Sequence, residues 1–254
     1  MKTLMITGGT VNTGYAIAGH FASKGYGVAL TGRNEETATL AAEKIAKETG
    51  SVVKGYRLEL SDVANIKEVF AKVKEDFGKI DTFVANGAHL GVDYGLMNTT
   101  EEDFLNITNV NMKGTFFSCQ CAAELMKATG GGSIVTIGSV QANGAVKGRT
   151  VYSMTKAAIS ALVKNMAYEL GEYGIRANNI VAGAIHSNRW DELSPQVVEK
   201  RRSKYPVGRE STEEEIANAV FYLGTDLSAT VTGTDLTVDS GLSVCLLPYE
   251  KSEK

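Results

Sequence analysis

Two patterns of apolar residues alternate along the chain: short, nearly continuous runs, and longer stretches in which apolar positions recur every three or four residues. The short runs predict strands at Thr3 to Ile6, Val28 to Thr31, Val52 to Leu60, Asp81 to Ala85, Ser133 to Ile137, Ala177 to Val181 and Asp235 to Val238. The longer stretches predict helices, and several carry start signals: Asn34 before Glu35-Glu36, Ser61 before Asp62, and the capping boxes Thr99-x-x-Glu102 and Ser211-x-x-Glu214. Strands alternating with helices imply right-handed crossovers, hence an α/β fold with a doubly wound parallel sheet of about seven strands and helices on both faces. Nothing reads as a linker or an internal repeat, so residues 1–254 are expected to form a single domain.

In such a sheet ligands bind beyond the carboxyl ends of the strands. The first such end is the turn Thr7-Gly8-Gly9-Thr10-Val11-Asn12-Thr13-Gly14, followed at once by a helix. Glycines there let the backbone approach a pyrophosphate, and the helix N-terminus offers free N–H groups; a tight turn alone would use one or two glycines as well. After the second strand comes Gly32-Arg33, where an acidic residue would bind ribose hydroxyls and repel a phosphate. A guanidinium can instead pair with a 2′-phosphate, worth about 1.5–3 kcal/mol, which favours NADP over NAD. The plainer reading of Arg33 is a surface arginine before a helix cap.

A second constellation lies in the segment Gly138 to Lys156, where Tyr152 and Lys156 stand four apart in a stretch that continues helically through Ala158, Leu162, Met166 and Leu170. A free phenol titrates near ~10, so only about one in a thousand is ionised at neutral pH. An ammonium ~4 Å away, at an effective dielectric of ~20, contributes roughly 4 kcal/mol and would bring Tyr152 into range as a general acid or base. Ser139, thirteen residues before Tyr152 at the end of an apolar run, could bond the same substrate oxygen. With 10 tyrosines in the chain, roughly 0.7 such Tyr/Lys pairs arise by chance, so the pair alone carries little weight.

Composition narrows the classes. A net charge of −3 without a basic stripe argues against nucleic acid, and Lys200-Arg201-Arg202 with Lys204 reads as a solvated helix face. The opening MKTLMITGG enters a strand directly and no apolar run could span a membrane, so a cytoplasmic protein is expected. Cys119, Cys121 and Cys245 fit neither a disulfide framework nor zinc, and His20, His89 and His186 lack ligand spacing, so no metal is expected.

Taken together, Thr3 to about Gly241 resembles the short-chain dehydrogenase/reductase family, in which the fold is of Rossmann type. The family's TGxxxGxG turn is matched at Thr7, Gly8 and Gly14, with Asn12 for the second glycine; asparagine is the side chain most tolerant of left-handed φ. The family's NNAG is matched at Asn86 only, its adenine-side aspartate is here Glu59, and its NxxxPG is Asn178 to Gly183 with alanine for proline. Ser187 stands where threonine is frequent, and Val238-Asp239-Ser240-Gly241 resembles VDGG, usually near a subunit interface.

The resemblance implies a catalytic tetrad of Asn111, Ser139, Tyr152 and Lys156. Tyr152 would pass the proton, Ser139 orient the oxygen, Lys156 hold the ribose and lower the tyrosine pKa, and Asn111 hold a water that links Lys156 to solvent. It implies NADP(H), with NAD as alternative, held by Gly8, Asn12, Thr13, Gly14 and Arg33, by Glu59, Leu60 and Asn86, by Tyr152 and Lys156, and by Gly183, Ile185 and Ser187. Substrate choice would lie in a loop of about 185–209, carrying His186, Asn188, Arg189, Trp190 and Tyr205, facing His89, Tyr94, Val140 and Asn143. Its polarity suggests a small-molecule ketone or secondary alcohol such as a sugar, polyol or keto acid; a carrier-bound 3-oxoacyl group and a catalytically silent NADP-binding sensor are the alternatives. Family habit implies a homotetramer, and the tail Leu242 to Pro248 with charged Glu250 to Lys254 fits a chain end tucked against a neighbour.

Overall fold

The computed structural model describes residues 1–91 and 94–245, with the side chains of 188 and 189 excepted. The first half runs β1 (Thr3–Ile6), α1 (Asn12–Ser23), β2 (Gly27–Gly32), α2 (Glu35–Thr49), β3 (Val53–Arg57), α3 (Val63–Phe77), β4 (Thr82–Ala85), α4 (Gly95–Asn98), α5 (Glu101–Thr108) and α6 (Thr115–Thr129). The second half runs β5 (Gly132–Ser139), α7 (Thr150–Leu170), β6 (Ile175–Ala182), α8 (Asn188–Asp191), α9 (Pro195–Arg202), α10 (Glu213–Gly224) and β7 (Asp235–Val238). The strands form one seven-stranded sheet, order β3-β2-β1-β4-β5-β6-β7, and every pairing is parallel. Strands β1 to β3 are laid outward in one direction and β4 to β7 in the other, so the order reverses between β1 and β4 and opens a crevice there.

The strands read as continuous apolar runs because both faces are covered. One face packs Ile17, Phe21 and Ala22 of α1 with Ile216, Val220 and Leu223 of α10. The other packs Ile66, Val69 and Phe70 of α3 with Ala122, Met126, Ile159 and Val163 of α6 and α7. Among the described residues no helix is long and apolar enough to cross a membrane.

Local expectations shift in four places. β3 ends at Arg57 rather than Leu60: its partner β2 ends at Gly32, the Leu58 N–H takes the last Gly32 carbonyl, and the chain then turns. Ser61 does not cap α3; its hydroxyl donates to Glu59, and Asp62 accepts from the Ala64 and Asn65 N–H groups. The two capping boxes sit one residue later, at Thr100–Asp103 and Thr212–Glu215. Thr99 is occupied closing α4 through the Gly95 carbonyl, and Ser211 is buried in a bridge with Ile185.

The face of α7 also differs. Its buried stripe is Val151, Thr155, Lys156, Ile159, Val163 and Met166, while Ala158 and Leu162 line a surface groove beside Phe116. Strict i+4 spacing drifts about 40° per step round a helix of 3.6 residues per turn, so it cannot follow one face for long.

Candidate active site

The crevice beyond β1, β2 and β4 has a volume of about 600 Å³ and brings together Gly8, Asn12, Thr13, Gly14, Arg33, Glu59, Leu60 and Asn86. Its floor is the turn before α1. Gly8 has φ +66°, and a Cβ there would stand 2.9 Å from the Gly87 Cα. A Cβ on Gly14 would stand 2.0 Å from the Gly8 carbonyl oxygen. Asn12 has φ +49°, the left-handed backbone its place in the turn requires. No side chain caps the N-terminus of α1, so its first N–H groups face the crevice.

Asn86 braces this turn from β4: its Nδ2 donates to the Thr7 and Gly8 carbonyls at 3.1 and 2.9 Å, while Thr7 Oγ1 accepts the Asn86 and Gly87 N–H groups. The cradle suits a dinucleotide, since glycines stand where a Cβ would fill the approach and helix N–H groups lie beneath it. Gly14→Ala should therefore weaken binding of a nicotinamide dinucleotide by at least roughly tenfold, matching the about 1–3 kcal/mol cost of overpacking. Fluorescence titration measures it, and unchanged affinity would place the cofactor elsewhere.

Just past β2, Arg33 is exposed, and among the described residues no ion pair engages it. Burial works against the Glu59 charge, yet hydrogen bonds from Ser61 and the charges of Arg33 and Arg57 hold its carboxyl below the usual range. Ser61 takes Glu59 Oε1 through both N–H and hydroxyl.

Beside the crevice, sharing its Leu90 and Gly91 wall with Tyr152, lie the polar residues at the end of β5 and the start of α7. Ser139 ends β5, buried, with its Oγ accepting the Gln141 N–H at 3.2 Å. Lys156 is buried, donates to the Ile137 carbonyl at 2.6 Å, and lies 5.6 Å from the Tyr152 ring centre. Burial pulls the Lys156 ammonium down to about 8. Burial pushes the Tyr152 phenol up from its ordinary 10, against a hydrogen bond with Ser139 and the charge of Arg149. Desolvation sets the direction, so the phenol is a neutral acid at pH 7, and the opposing influences come from Ser139 and Arg149 rather than from Lys156 as expected.

Asn111 reaches this cluster by a route the sequence does not announce. The α5–α6 run widens into a π-helical stretch, Asn109–Gly114, and a Cβ on Gly114 would stand 2.5 Å from the Leu60 carbonyl. Asn111 Oδ1 accepts the His89 N–H at 2.7 Å, and its Nδ2 donates to the His89 carbonyl at 2.9 Å and to Thr155 Oγ1 at 3.2 Å. Its side chain therefore pins the β4 loop to α7.

A family model described as enoyl-(acyl carrier protein) reductase matches residues 11–243. The chain is 32% identical to a 3alpha-hydroxysteroid dehydrogenase of Mediterraneibacter gnavus, over 94% of this chain and 95% of that protein. It is 31% identical to a 3-oxoacyl-(acyl-carrier-protein) reductase of Chlamydia muridarum (95% and 97%), and 35% identical to an L-rhamnose-1-dehydrogenase of Scheffersomyces stipitis (96% and 97%). The chain belongs to the short-chain dehydrogenase/reductase family. It is an oxidoreductase of that family, acting on CH–OH and keto groups.

In this dehydrogenase/reductase the remaining expected residues fall into two groups. Gly183, at the end of β6, lies so close to Asp239 that a Cβ would stand 2.7 Å from the aspartate Cβ, and half-buried Ser187 opens α8. Val140 and Asn143 flank the short turn after Ser139, and His89 is exposed with its Nδ1 accepting the Gly91 N–H. His186 and Trp190 engage the loop itself: the His186 ring is bonded at both nitrogens and stacks on Trp190, which is buried. The side chains of Asn188 and Arg189 and the tail from Leu246 lie outside the described residues.

Sequence reasoning missed three residues. Arg149 donates to the Leu90 and Gly91 carbonyls at 2.6 and 3.0 Å, tying the β4 loop to the start of α7; its place three before Tyr152 was the available signal. Thr155 joins Asn111 to the Tyr152 carbonyl. Glu210 is buried beneath the 185–209 loop, and nothing local marks it.

Proposed function

We propose that this short-chain dehydrogenase/reductase interconverts a ketone and a secondary alcohol with NADP(H), on a small polar carbonyl substrate such as a sugar, polyol or keto acid, within one domain. The observation that carries the reading is the clustering of Ser139, Tyr152 and Lys156 at the strand ends beside the crevice that holds Arg33. When bound, the nicotinamide cofactor supplies or accepts the hydride at the carbonyl carbon. In reduction, Tyr152 gives its phenolic proton to the carbonyl oxygen, and Ser139 holds that oxygen through its hydroxyl. Lys156, already a donor to Ile137, holds the ribose and returns a proton to Tyr152. Asn111 fixes the loop between β4 and α4 against Thr155, next to Lys156 in the chain.

The polar reading draws on exposed His89 and Asn143, and one relative is named for L-rhamnose. A 3-oxoacyl group is the second reading, favoured by exposed Leu90 and Val146, whose carbonyls both meet Arg149. Self-association is part of the proposal: Phe104, Met112, Phe116 and Leu162 form an apolar groove along α5, α6 and α7 that a second copy would cover. The free thiols of Cys119, Cys121 and Cys245 suit the reducing cytoplasm.

The test is NADPH oxidation, with NADH in parallel, across ketoses, keto acids, a steroid ketone and a 3-oxoacyl thioester. Faster turnover of one class with NADPH supports the proposal. NADPH binding without turnover of any carbonyl would favour a silent binding protein, and faster turnover with NADH would overturn the coenzyme assignment.

A further inference from the structure

The 185–209 loop leaves the sheet after β6 and returns before α10, and its two ends are joined. Ile185 and Ser211 form a parallel bridge, with the His186 N–H donating to the Ser211 carbonyl at 2.8 Å and the Ser211 N–H to the Ala184 carbonyl at 3.1 Å. Beside this bridge lies Glu210, a carboxylate with 3% of its side chain exposed. Its Oε1 meets His186 Nδ1 at 2.8 Å and Arg202 Nη2 at 2.6 Å, and its Oε2 meets Arg202 Nε at 2.8 Å. One buried acid therefore ties the loop's outgoing strand, the end of α9 and the return strand together.

The linkage extends to the loop's aromatic anchor. His186 Nε2 meets Asp191 Oδ1 at 3.2 Å, so each ring nitrogen faces a carboxylate, and the ring stacks on Trp190 at 6.2 Å. Arg201 Cζ lies 5.4 Å from the centre of that indole, over its face. A buried carboxylate with charge-assisted bonds on both oxygens holds its partners in fixed geometry, and loses that hold when its charge is removed.

We propose that Glu210 is a positioning residue, a latch at the root of the 185–209 loop that sets where His186 and Trp190 stand and so how the loop closes over the carbonyl substrate. The substrate half rests on the proposed function; the latch half does not. Neighbouring Ile185 and Ser187 share the latched strand, which links the carboxylate to the expected cofactor contacts without Glu210 touching substrate.

Glu210→Gln keeps the shape and removes the charge. The chain has one tryptophan, so Trp190 emission reports the loop directly, and Lys200, Arg201, Arg202 and Lys204 make it a tryptic target. In the full chain, the variant is expected to show red-shifted Trp190 emission and tryptic nicking at 200–204 at least roughly tenfold faster, as local opening becomes more frequent. The circular-dichroism signature of the sheet should stay. For a carbonyl that the wild type turns over, KM should rise at least roughly threefold with kcat changed less, because an open loop reduces the fraction competent to bind. Lys200→Gln, exposed on the same helix, is the control for emission and KM. If Glu210→Gln does not fold, Arg202→Gln takes its place and should shift emission in the same direction.

Wild-type emission and nicking in a folded variant would overturn the latch. Loop opening with an unchanged KM would overturn the positioning role. If the wild type turns over no carbonyl, the functional reading fails, while emission and nicking still decide the latch.

Discussion

Tyr152→Phe is expected to cut turnover by at least ~10²-fold, the usual scale for losing a general acid, while NADPH affinity stays within about twofold of wild type. The substitution removes one oxygen from a ring that is otherwise retained on α7, so packing is preserved. What is lost is the proton donor, and no other group in the cluster replaces it. Ser139 already accepts the Gln141 N–H and has a far more basic conjugate; Lys156 is held by the Ile137 carbonyl behind the ring. The phenol's raised pKa suits reduction, since it keeps the proton until the alkoxide develops. The crevice around Gly14, Asn86 and Arg33, the proposed NADPH site, lies at the strand ends of β1, β2 and β4, and Tyr152 is not among its lining residues. Steady-state NADPH oxidation and fluorescence titration together check both halves. Retention of most turnover would remove Tyr152 from the mechanism.

Arg33→Ala should raise the NADPH dissociation constant by about 10–100-fold, equivalent to a charge-assisted bond of about 1.5–3 kcal/mol, and change NADH binding less than about twofold. Arg33 follows β2 directly, and a Cβ on Gly32 would stand 2.5 Å from Thr10 Cγ2, so the second strand end is pressed against the cofactor turn. That contact sets where the backbone of Arg33 enters the crevice rim. The nearby carboxylate of Glu59 is engaged by Ser61 and also feels Arg57, which lies opposite Gly32 in the β2–β3 register. The local field at the crevice rim is therefore positive, and salt should weaken NADPH binding more than NADH binding. Equal losses for both coenzymes would mean that Arg33 supports the turn rather than reading a phosphate.

Much of the fold was legible because it is written in local patterns. Each of the seven strands overlaps the short apolar run that predicts it; β1 and β7 agree to the residue, and β3 stops short at Arg57. The misplacements have local causes too: caps moved by one residue where the expected residue was already engaged, Thr99 by its hydroxyl to the Gly95 carbonyl and Ser211 by its backbone in the bridge with Ile185. Tyr152 and Lys156 were legible from spacing, because helical geometry puts residues four apart on one side. Their electrostatics were not. Whether an ammonium lowers a neighbouring phenol depends on how far both are desolvated, and burial reversed the expected direction.

The sequence by itself determined the strand and helix alternation, the parallel sheet that follows from it, the family, and which polar residues arrive at the strand ends. These depend on periodicity, turn chemistry and motifs within a few residues. Only the tertiary structure decided what those residues bind: that Asn111 clasps the backbone at His89 and the hydroxyl of Thr155, that Arg149 holds the β4 loop, and that His186 is bonded at both nitrogens to Glu210 and Asp191. The reason is physical. A hydrogen bond is specified by distance and direction at the ångström level, and partners separated by 22, 44 or 59 positions meet only after the sheet, the π-helical stretch and the loop root have set those distances.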